Sequence, residues 1–201
     1  MTGDSQTLFT LLVAAVVLQR LVETHISSRN AHWLLARGGR EAGGEHLPAM
    51  IIMHAAFLLC CPLEVWLAQR AFSPLLGFPM LLLFLLAQAV RFWTMRSLGR
   101  RWTIRIITVP GLKPVSRGPY RWVRHPNYAV VVLELFSLPL VHTAWLTALV
   151  FGLLNAWVLR VRIRVEEAEL VEAGGYQRFI TQRPRFVPSI HRGGTKPYSD
   201  V

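Results

Sequence analysis

The stretch Gly118–Tyr128, which reads Gly-Pro-Tyr-Arg-Trp-Val-Arg-His-Pro-Asn-Tyr, concentrates rigid, aromatic and polar groups in a short span. Pro119 and Pro126 fix local backbone angles and bias the residues before them away from helix. His125 can both donate and accept hydrogen bonds, and Tyr128 offers an aromatic face with a polar tip. The segment from His125 to Tyr128 therefore predicts a binding pocket.

The aromatic and basic residues around that segment have a second explanation. Tryptophan and tyrosine collect at membrane interfaces, and arginines collect on the cytoplasmic side. We adopt this interpretation for Arg121 and Trp122.

A second candidate lies in Arg160–Leu170, which reads Arg-Val-Arg-Ile-Arg-Val-Glu-Glu-Ala-Glu-Leu. Arg162 and Glu166 are four residues apart, so they share one face of a helix, and Arg164 and Glu167 form a neighbouring pair. A solvated helix of ion pairs, each contributing only tenths of a kcal/mol, is the alternative. The segment directly follows an apolar helix at the edge of the membrane, and this position favours a functional face.

Composition restricts the class of protein. The 201 residues suffice for one domain, 53% are hydrophobic and only 16% are charged, where soluble domains have about a quarter. Mean hydropathy is +0.38. These values exclude a disordered chain, a disulfide scaffold and an ordinary soluble enzyme. Cys60 and Cys61 are adjacent in an apolar run and are expected to be small buried hydrophobes, and no metal site is predicted.

The apolar runs predict an all-α integral membrane protein. A bilayer core of about 30 Å needs about 20 apolar helical residues. The runs are Ser5–Gln19 with its continuation to Val22, Pro48–Ala68, Ala71–Val90 and Asn127–Leu159. The last is too long for one span, so we predict a helical hairpin at 127–159 that turns near Pro139–Thr143. This gives about five membrane helices, the last two short; four spans with one helix kinked at Pro139 is the alternative.

Positive charge predicts the topology. The net charge of +11 is concentrated in 24–47, in 96–126 and from Arg160 onward. Because lysine and arginine favour cytoplasmic loops, five spans place the amino terminus outside and the carboxyl terminus inside a bacterial inner membrane. The basic excess then reflects topology and affinity for anionic membrane lipids, and no nucleic-acid partner is expected. The sequence does not predict the oligomeric state.

Three regions follow from these patterns. Residues 1–95 form transmembrane helices 1–3 with a cytoplasmic loop at 24–47. Residues 96–188 form the core that carries the chemistry and includes the hairpin. Residues 189–201 are expected to be a disordered tail.

The two candidate motifs together resemble the isoprenylcysteine carboxyl methyltransferase family. The resemblance rests on Arg-His-Pro-Asn-Tyr at Arg124–Tyr128, on Arg-x-x-x-Glu-Glu-x-x-Leu at Arg162–Leu170, on Tyr176, and on Arg-Pro-Arg-Phe-Val-Pro at Arg183–Pro188. It covers roughly residues 91–188. Either motif alone is weak, and the combination is specific.

The resemblance implies an integral membrane methyltransferase that uses S-adenosylmethionine, with a cytosolic cofactor pocket formed by the carboxyl-terminal half. It implies Arg162 and Glu166 as catalytic residues, with Arg162 near the substrate and the reactive methyl group. The cofactor residues that it implies are Tyr120, His125, Pro126, Asn127, Tyr128 and Glu166, with backbone contacts from Lys113, Pro114 and Val115. Arg105 falls near a further polar contact to the cofactor.

The acceptor is expected to be a lipid-like small molecule. The segments Gly99–Ile107 and Asn127–Leu135 look like a bacterial branch that methylates hydroxyls of alkylresorcinols or alkylpyrones. Val130 stands where the family usually has glycine, which argues against strict isoprenylcysteine specificity. Carboxyl methylation of an isoprenylated cysteine or a related acid is the alternative, and a non-catalytic membrane binding or sensing protein is a second one.

Glu134 is a candidate substrate residue because an acid inside a membrane helix is expensive and often functional. It lies seven residues after Asn127 on the same helical face, and it could serve as a base for a phenol. The preferred alternative is a structural hydrogen bond across the hairpin, to His142 or Asn155. Structural pairing is also expected for Glu64 and His54.

Overall fold

The computed structural model describes residues 2–173 and 177–187 of the chain. Helices dominate this part. They are α1 (Thr2–Leu35), α2 (Leu47–Leu67), α3 (Pro74–Leu98), α4 (Pro126–Leu140), α5 (Trp145–Glu172) and α6 (Gln177–Gln182). Two short strands, β1 (Arg40–Ala42) and β2 (Ile106–Thr108), pair antiparallel. Single 3-10 turns occupy Gly44–His46, Gly99–Arg101 and Gly118–Arg121.

The two strands are a small exception to the all-α prediction, because each is only three residues long. Tyr176, Pro188 and the predicted tail at 189–201 lie outside the described residues.

Proline marks where several helices begin. Pro74 and Pro126 are the first residues of α3 and α4, and Pro48 is the second residue of α2. Proline suits the first turn because its fixed φ is already helical and its missing N–H would have no partner there. The sequence thus predicts the starts of these helices to within a few residues.

One end of the helices, which we call the hairpin end, contains the turn between α4 and α5. Here the start of α1 meets the end of α2, where Gln6 Nε2 donates to the Val65 carbonyl at 3.3 Å. His142, in the turn, lies 3.2 Å from the Ser5 hydroxyl. The turn between α4 and α5 lies where the hairpin was predicted, since α4 ends at Leu140 and α5 begins at Trp145.

The other end, which we call the loop end, contains the small sheet and the long connection from α3 to α4. Asn30 Nδ2, near the end of α1, donates to the Trp102 carbonyl at 2.7 Å. The Ser27 hydroxyl accepts from the Ile104 N–H at 2.8 Å. Helices α1 to α5 therefore alternate in direction between the two ends.

Within the described part of the chain, four helices are long and apolar enough to cross a bilayer, namely α1, α2, α3 and α5. Helix α4 has 15 residues, about 22 Å at 1.5 Å per residue, against a hydrocarbon core of about 30 Å. The predicted count of five spans is therefore not confirmed. The expectation that the last two helices are both short is wrong for α5, which has 28 residues.

Helix α1 corrects the predicted loop at 24–47. The helix continues to Leu35, so only the second half of that region is a connection. Ser27, inside that region, is 4% exposed, and Glu23, directly before it, is 6% exposed, so both pack against other elements. Their partners belong to distant parts of the chain, and no local pattern reveals them.

The main apolar core lies between the helices toward the hairpin end. Its members come from every long helix and include Phe9, Val13, Phe57, Phe84, Leu138 and Phe151. Cys61 is fully buried in the same cluster and Cys60 packs against it, both as free thiols. The prediction of a small buried hydrophobe is confirmed for Cys61, whereas Cys60 is only half-buried.

Candidate active site

Arg162, Tyr128 and Glu166 meet at the loop end of α4 and α5. Arg162 Nε donates to the Tyr128 hydroxyl at 2.9 Å. The same hydroxyl donates to a Glu166 carboxylate oxygen, and Arg162 Nη2 donates to the Ile104 carbonyl. The predicted pair on one helical face is therefore joined through Tyr128, and its arginine is fixed by a backbone carbonyl.

His125 is held by Glu167, a residue whose role the sequence interpretation missed. His125 Nε2 lies 3.0 Å from Glu167 Oε1, and the imidazole is 4% exposed. Glu167 also accepts from Arg124 Nη1 at 2.8 Å and from Arg185 Nη2 at 2.7 Å. Adjacent acids on α5 thus take different roles, because Glu166 faces Tyr128 while Glu167 organises the residues around His125.

Residues 183–187 pack against the loop that contains His125 and hydrogen-bond to its backbone. The Arg124 N–H donates to the Pro184 carbonyl at 2.9 Å, and the His125 N–H donates to the Arg185 carbonyl at 3.1 Å. The Phe186 ring lies 6.4 Å from the His125 ring. The segment closes over the loop that precedes α4 and holds His125 in place.

Gly118 allows the loop to approach α3. Its φ is +58°, and a Cβ at this position would collide with the Ser97 hydroxyl. Glycine adopts such an angle without the steric penalty of other residues. The glycine therefore lets the Gly118–Arg121 turn pack directly against α3 and leads the chain toward His125.

A cavity of about 750 Å³ connects these groups with the interior of the helices. Its lining includes eight of the predicted site residues, namely Val115, Tyr120, His125, Asn127, Tyr128, Glu134, Arg162 and Glu166. Lys113, Pro114 and Pro126 are not part of that lining. Pro126 is instead a buried first residue of α4, and the Lys113 carbonyl accepts from Arg101 at 2.7 Å.

The amino-terminal half contributes more to the cavity than the sequence predicts. Val13 and Arg20 from α1, and Met50 and His54 from α2, line it together with residues of α4 and α5. The pocket is therefore not formed by the carboxyl-terminal half alone. Its polar groups at the loop end come mainly from that half, as expected.

Three buried polar atoms in the lining have no hydrogen-bond partner among the described residues. They are Trp102 Nε1, Arg124 Nε and Asn127 Oδ1. Unpaired donors and acceptors in a buried site are costly, so these atoms are available to a polar ligand. Nearby, burial raises the pKa of the Tyr120 phenol well above its ordinary value, and the Glu166 carboxylate raises it further. Tyr120 therefore stays neutral.

Glu134 has partners other than those predicted. It accepts from Arg91 Nε at 2.7 Å, from Gln88 at 2.6 Å and from Arg20 Nη2 at 3.1 Å. The predicted hydrogen bonds from Glu134 to His142 or Asn155 are wrong. Glu134 does pair with other helices, but its partners lie on α1 and α3. Its oxygens are occupied by two guanidinium groups and one amide, so the contacts of Glu134 favour a structural role over that of a base.

The remaining in-membrane candidates are paired, as expected. Glu64 accepts from Arg70 at 2.8 Å and from the Thr147 N–H at 2.6 Å. His54 Nδ1 lies 2.8 Å from the Met50 carbonyl.

Two further predictions concern exposed residues at the loop end. Arg105 lines the cavity, and it also forms an ion pair with Glu41 at 3.1 Å. Trp122 is 43% exposed, and the Arg121 guanidinium lies 4.8 Å from the centre of its ring. That arrangement agrees with the interfacial interpretation of this pair.

Comparison with known proteins decides the family. The sequence profile of the isoprenylcysteine carboxyl methyltransferase family matches residues 80–172. The uncharacterized protein YpbQ of Bacillus subtilis (strain 168) is 40% identical over 166 residues, which cover 82% of this chain and 98% of that protein. The chain belongs to the isoprenylcysteine carboxyl methyltransferase family. An uncharacterized protein of Haemophilus influenzae is 28% identical over 158 residues, which cover 78% of this chain and 91% of that protein.

Membership in the isoprenylcysteine carboxyl methyltransferase family, together with four apolar helices, identifies a multi-pass membrane protein whose general chemistry is methyl transfer. The matched region begins in α3 and ends with α5, so it includes Tyr128, Arg162 and Glu166. Residues 183–187, which hydrogen-bond to the backbone of His125, follow the matched region.

Proposed function

We propose that this protein is an S-adenosylmethionine-dependent O-methyltransferase that acts on the hydroxyl of a lipid-tailed acceptor, an alkylresorcinol or alkylpyrone in particular. One observation carries the proposal. A single cavity joins the Arg162–Tyr128–Glu166 cluster to an apolar interior lined by membrane-spanning helices. A polar cofactor, the head of the acceptor and its hydrocarbon tail can share such a space.

The residues present fit S-adenosylmethionine. The cofactor has hydrogen-bonding groups that suit the unpaired Trp102 Nε1 and Asn127 Oδ1. It is positively charged at sulfur, and the Glu166 carboxylate offsets that charge. Tyr120 and His125 add aromatic faces with polar tips to the same part of the lining. When bound, the cofactor supplies a methyl group on a sulfonium, a leaving group that is already activated.

Arg162 would orient the acceptor oxygen. Its guanidinium is held by the Tyr128 hydroxyl and the Ile104 carbonyl, so its remaining N–H groups have a fixed direction. A planar, permanently charged donor set stabilises an oxygen that carries negative charge, so the acceptor hydroxyl would bind at Arg162 as its oxyanion, with its proton released to solvent. Holding two reactants in line can account for several kcal/mol of barrier reduction.

The apolar part of the lining supports a lipid acceptor. Exposed side chains of α1 and α2, including Leu21, Ile51 and Leu59, also line the cavity. The cavity therefore reaches the surface that these two helices present to lipid. A hydrocarbon tail can enter from the bilayer while the polar head reaches Arg162.

A hydroxyl is favoured over a carboxylate by the resemblance to the bacterial branch. Val130, which replaces the family's usual glycine, is fully buried and is not part of the cavity lining. Its effect on specificity must therefore act through packing of α4. Carboxyl methylation of an isoprenylated cysteine or a related acid is the competing activity, since Arg162 could also orient a carboxylate.

The test is methylation by the purified protein in lipid nanodiscs. The protein is incubated with methyl-labelled S-adenosylmethionine and the lipid extract of its source, and labelled products are analysed by mass spectrometry. We expect a labelled lipid that survives mild alkaline hydrolysis, as a methyl ether does. A label released by alkali would identify a methyl ester and support the carboxyl alternative. Cofactor binding without any labelled lipid would favour a non-catalytic binding or sensing protein.

A further inference from the structure

A band of charged and polar side chains crosses the cavity inside the membrane-spanning helices. We call Arg20, Glu23, His54, Arg91 and Glu134 the polar band; all five line the cavity. Arg91 forms ion pairs with Glu134 and, at 3.5 Å, with Glu23, and Arg20 pairs with both acids. Two arginines balance two glutamates, so the band needs no counter-ion.

The polar band lies closer to the hairpin end than the proposed methyl-transfer site does. Glu134 follows Tyr128 by six residues on α4, which is about 9 Å along the helix. On α2, the Met50 sulfur lies 3.4 Å from Arg162 Nη1, and His54 is one turn further on, about 5.4 Å. Beyond the band the lining is mainly apolar and includes Val13, Phe57, Phe84 and Leu138, with Thr10 as a polar member.

Two members of the band have hydrogen-bonding capacity that the described protein does not use. His54 Nδ1 is occupied by the Met50 carbonyl, while His54 Nε2 has no hydrogen-bond partner among the described residues. The Arg20 side chain keeps 26% of its surface exposed, against 6–8% for Arg91, Glu23 and Glu134. A purely structural ion-pair network would be sealed, whereas this one presents a guanidinium and an imidazole to a cavity.

We propose that His54 and Arg20 bind a second oxygen of the acceptor, so that the enzyme selects lipids whose head group carries two oxygens. This inference rests on the proposed function. The first oxygen lies at Arg162, the second reaches the polar band, and the tail occupies the apolar part beyond. A head group with one oxygen would leave His54 and Arg20 facing hydrocarbon, which is unfavourable for polar groups inside a membrane.

The experiment compares two acceptors that differ by one hydroxyl, 5-pentadecylresorcinol and 3-pentadecylphenol. Binding of each to the full-length protein in nanodiscs is measured by calorimetry, and methylation is measured separately with labelled S-adenosylmethionine. We expect the wild type to bind the resorcinol about tenfold more tightly than the phenol, the difference that one hydrogen bond can provide.

His54 provides the decisive variants, since replacing Arg20 would also break its ion pairs with Glu23 and with Glu134, the second of which joins α1 to α4. His54→Leu should abolish the tenfold preference and leave binding of the phenol unchanged. His54→Gln, which can still hydrogen-bond, should retain most of the preference. His25→Leu is the matched control, because His25 is an exposed residue of α1 outside the cavity lining.

The two readouts separate the two proposals. Equal binding of both acceptors by the wild type, or an equal loss for both in His54→Leu, would overturn the role of the polar band. Selective binding that depends on His54 supports that role whether or not methyl transfer follows. A resorcinol that binds selectively but is never methylated would overturn the proposed reaction and leave the second-oxygen site standing.

Discussion

At the scale of single residues, the site divides its work between two adjacent acids. Glu166 lines the cavity and accepts a hydrogen bond from Tyr128. Glu167 instead contacts the loop before α4 and binds His125, Arg124 and Arg185. Because consecutive side chains on a helix point about 100° apart, Glu166 can line the cavity while Glu167 contacts the loop that supports it. Mutations at the two positions should therefore have separable effects.

Arg162→Lys is expected to lose turnover by about 100-fold or more while it keeps most of its cofactor affinity. Lysine preserves the charge but not the planar fork that fixes the direction of an oxygen, and loss of one well-placed donor has an effect of this size. Single-turnover rates and cofactor binding by calorimetry measure both quantities. Arg164→Lys, an exposed change on the same helix, is the control.

Glu166→Gln is expected to weaken cofactor binding by about 1–3 kcal/mol, as well as to slow turnover, because it removes the charge that offsets the sulfonium. If both Glu166→Gln and Arg162→Lys bound the cofactor and turned over like the wild type, Arg162 and Glu166 would be only a surface ion pair. A pair of that kind contributes at most about 1 kcal/mol to stability and does not affect kinetics.

His125→Ala is expected to weaken S-adenosylmethionine binding by about 1–3 kcal/mol, because a buried partner loses its hydrogen bond. Glu167→Ala should act in the same direction although Glu167 is not part of the cavity lining, since it positions His125. Calorimetry on the folded variants measures both. Glu169→Ala, two residues further along α5, should bind like the wild type; a loss equal to that of Glu167→Ala would refute a specific positioning role.

At the scale of elements, the sequence predicts apolar helices well and polar extensions of helices poorly. The boundaries of α2 and the hairpin between α4 and α5 follow from long apolar runs punctuated by proline. The second half of α1 follows the apolar run that ends at Val22 and is predicted as part of a basic loop, yet Glu23, Ser27 and Asn30 in this half pair with other elements. Their partners are supplied by α3 and the connection after it, and such pairings have no signature in local sequence.

The start of α5 depends on a residue from another helix. The Glu64 carboxylate, on α2, accepts from the N–H groups of Leu146 and Thr147 at 3.2 and 2.6 Å. First-turn N–H groups have no partner within their own helix, and a negative charge there is favourable. The same carboxylate pairs with Arg70, so it ties α2, α5 and the link to α3 together at the hairpin end.

Glu64→Ala is therefore expected to lower the free energy of unfolding by about 1–2 kcal/mol, the usual effect of losing a helix cap. Thermal unfolding in detergent should show a lower Tm, while cofactor affinity stays unchanged because the cavity's polar groups are at the other end. Glu45→Ala is the control, since the Glu45 side chain is 83% exposed. An unchanged Tm in Glu64→Ala would show that the cap contributes nothing.

At the scale of the whole molecule, the sequence identifies candidate site residues but does not predict how they meet. Tyr128, Arg162 and Glu166 lie in recognisable motifs, yet their joining through the Tyr128 hydroxyl depends on how α4 packs beside α5. Glu134 was noticed because it is an acid in an apolar run, but its partners Arg20 and Arg91 are 114 and 43 residues away. Sequence spacing carries information across a few helical turns, and the cavity is assembled over far longer separations.

The distribution of basic residues along the helix ends predicts the orientation in the membrane. Contacts bring the connection after α1, the connection from α3 to α4 and the end of α5 to one end, where most arginines lie. Among the described residues, the hairpin end has one arginine, Arg70, and no lysine.

Because arginine is retained on the cytoplasmic side, reporter fusions at residue 44 and at the carboxyl terminus should both report the cytoplasm, and an insertion in the 141–144 turn should report the outside. If residue 44 and the carboxyl terminus lay on opposite sides, the alternation of α1 to α5 across the bilayer would be wrong.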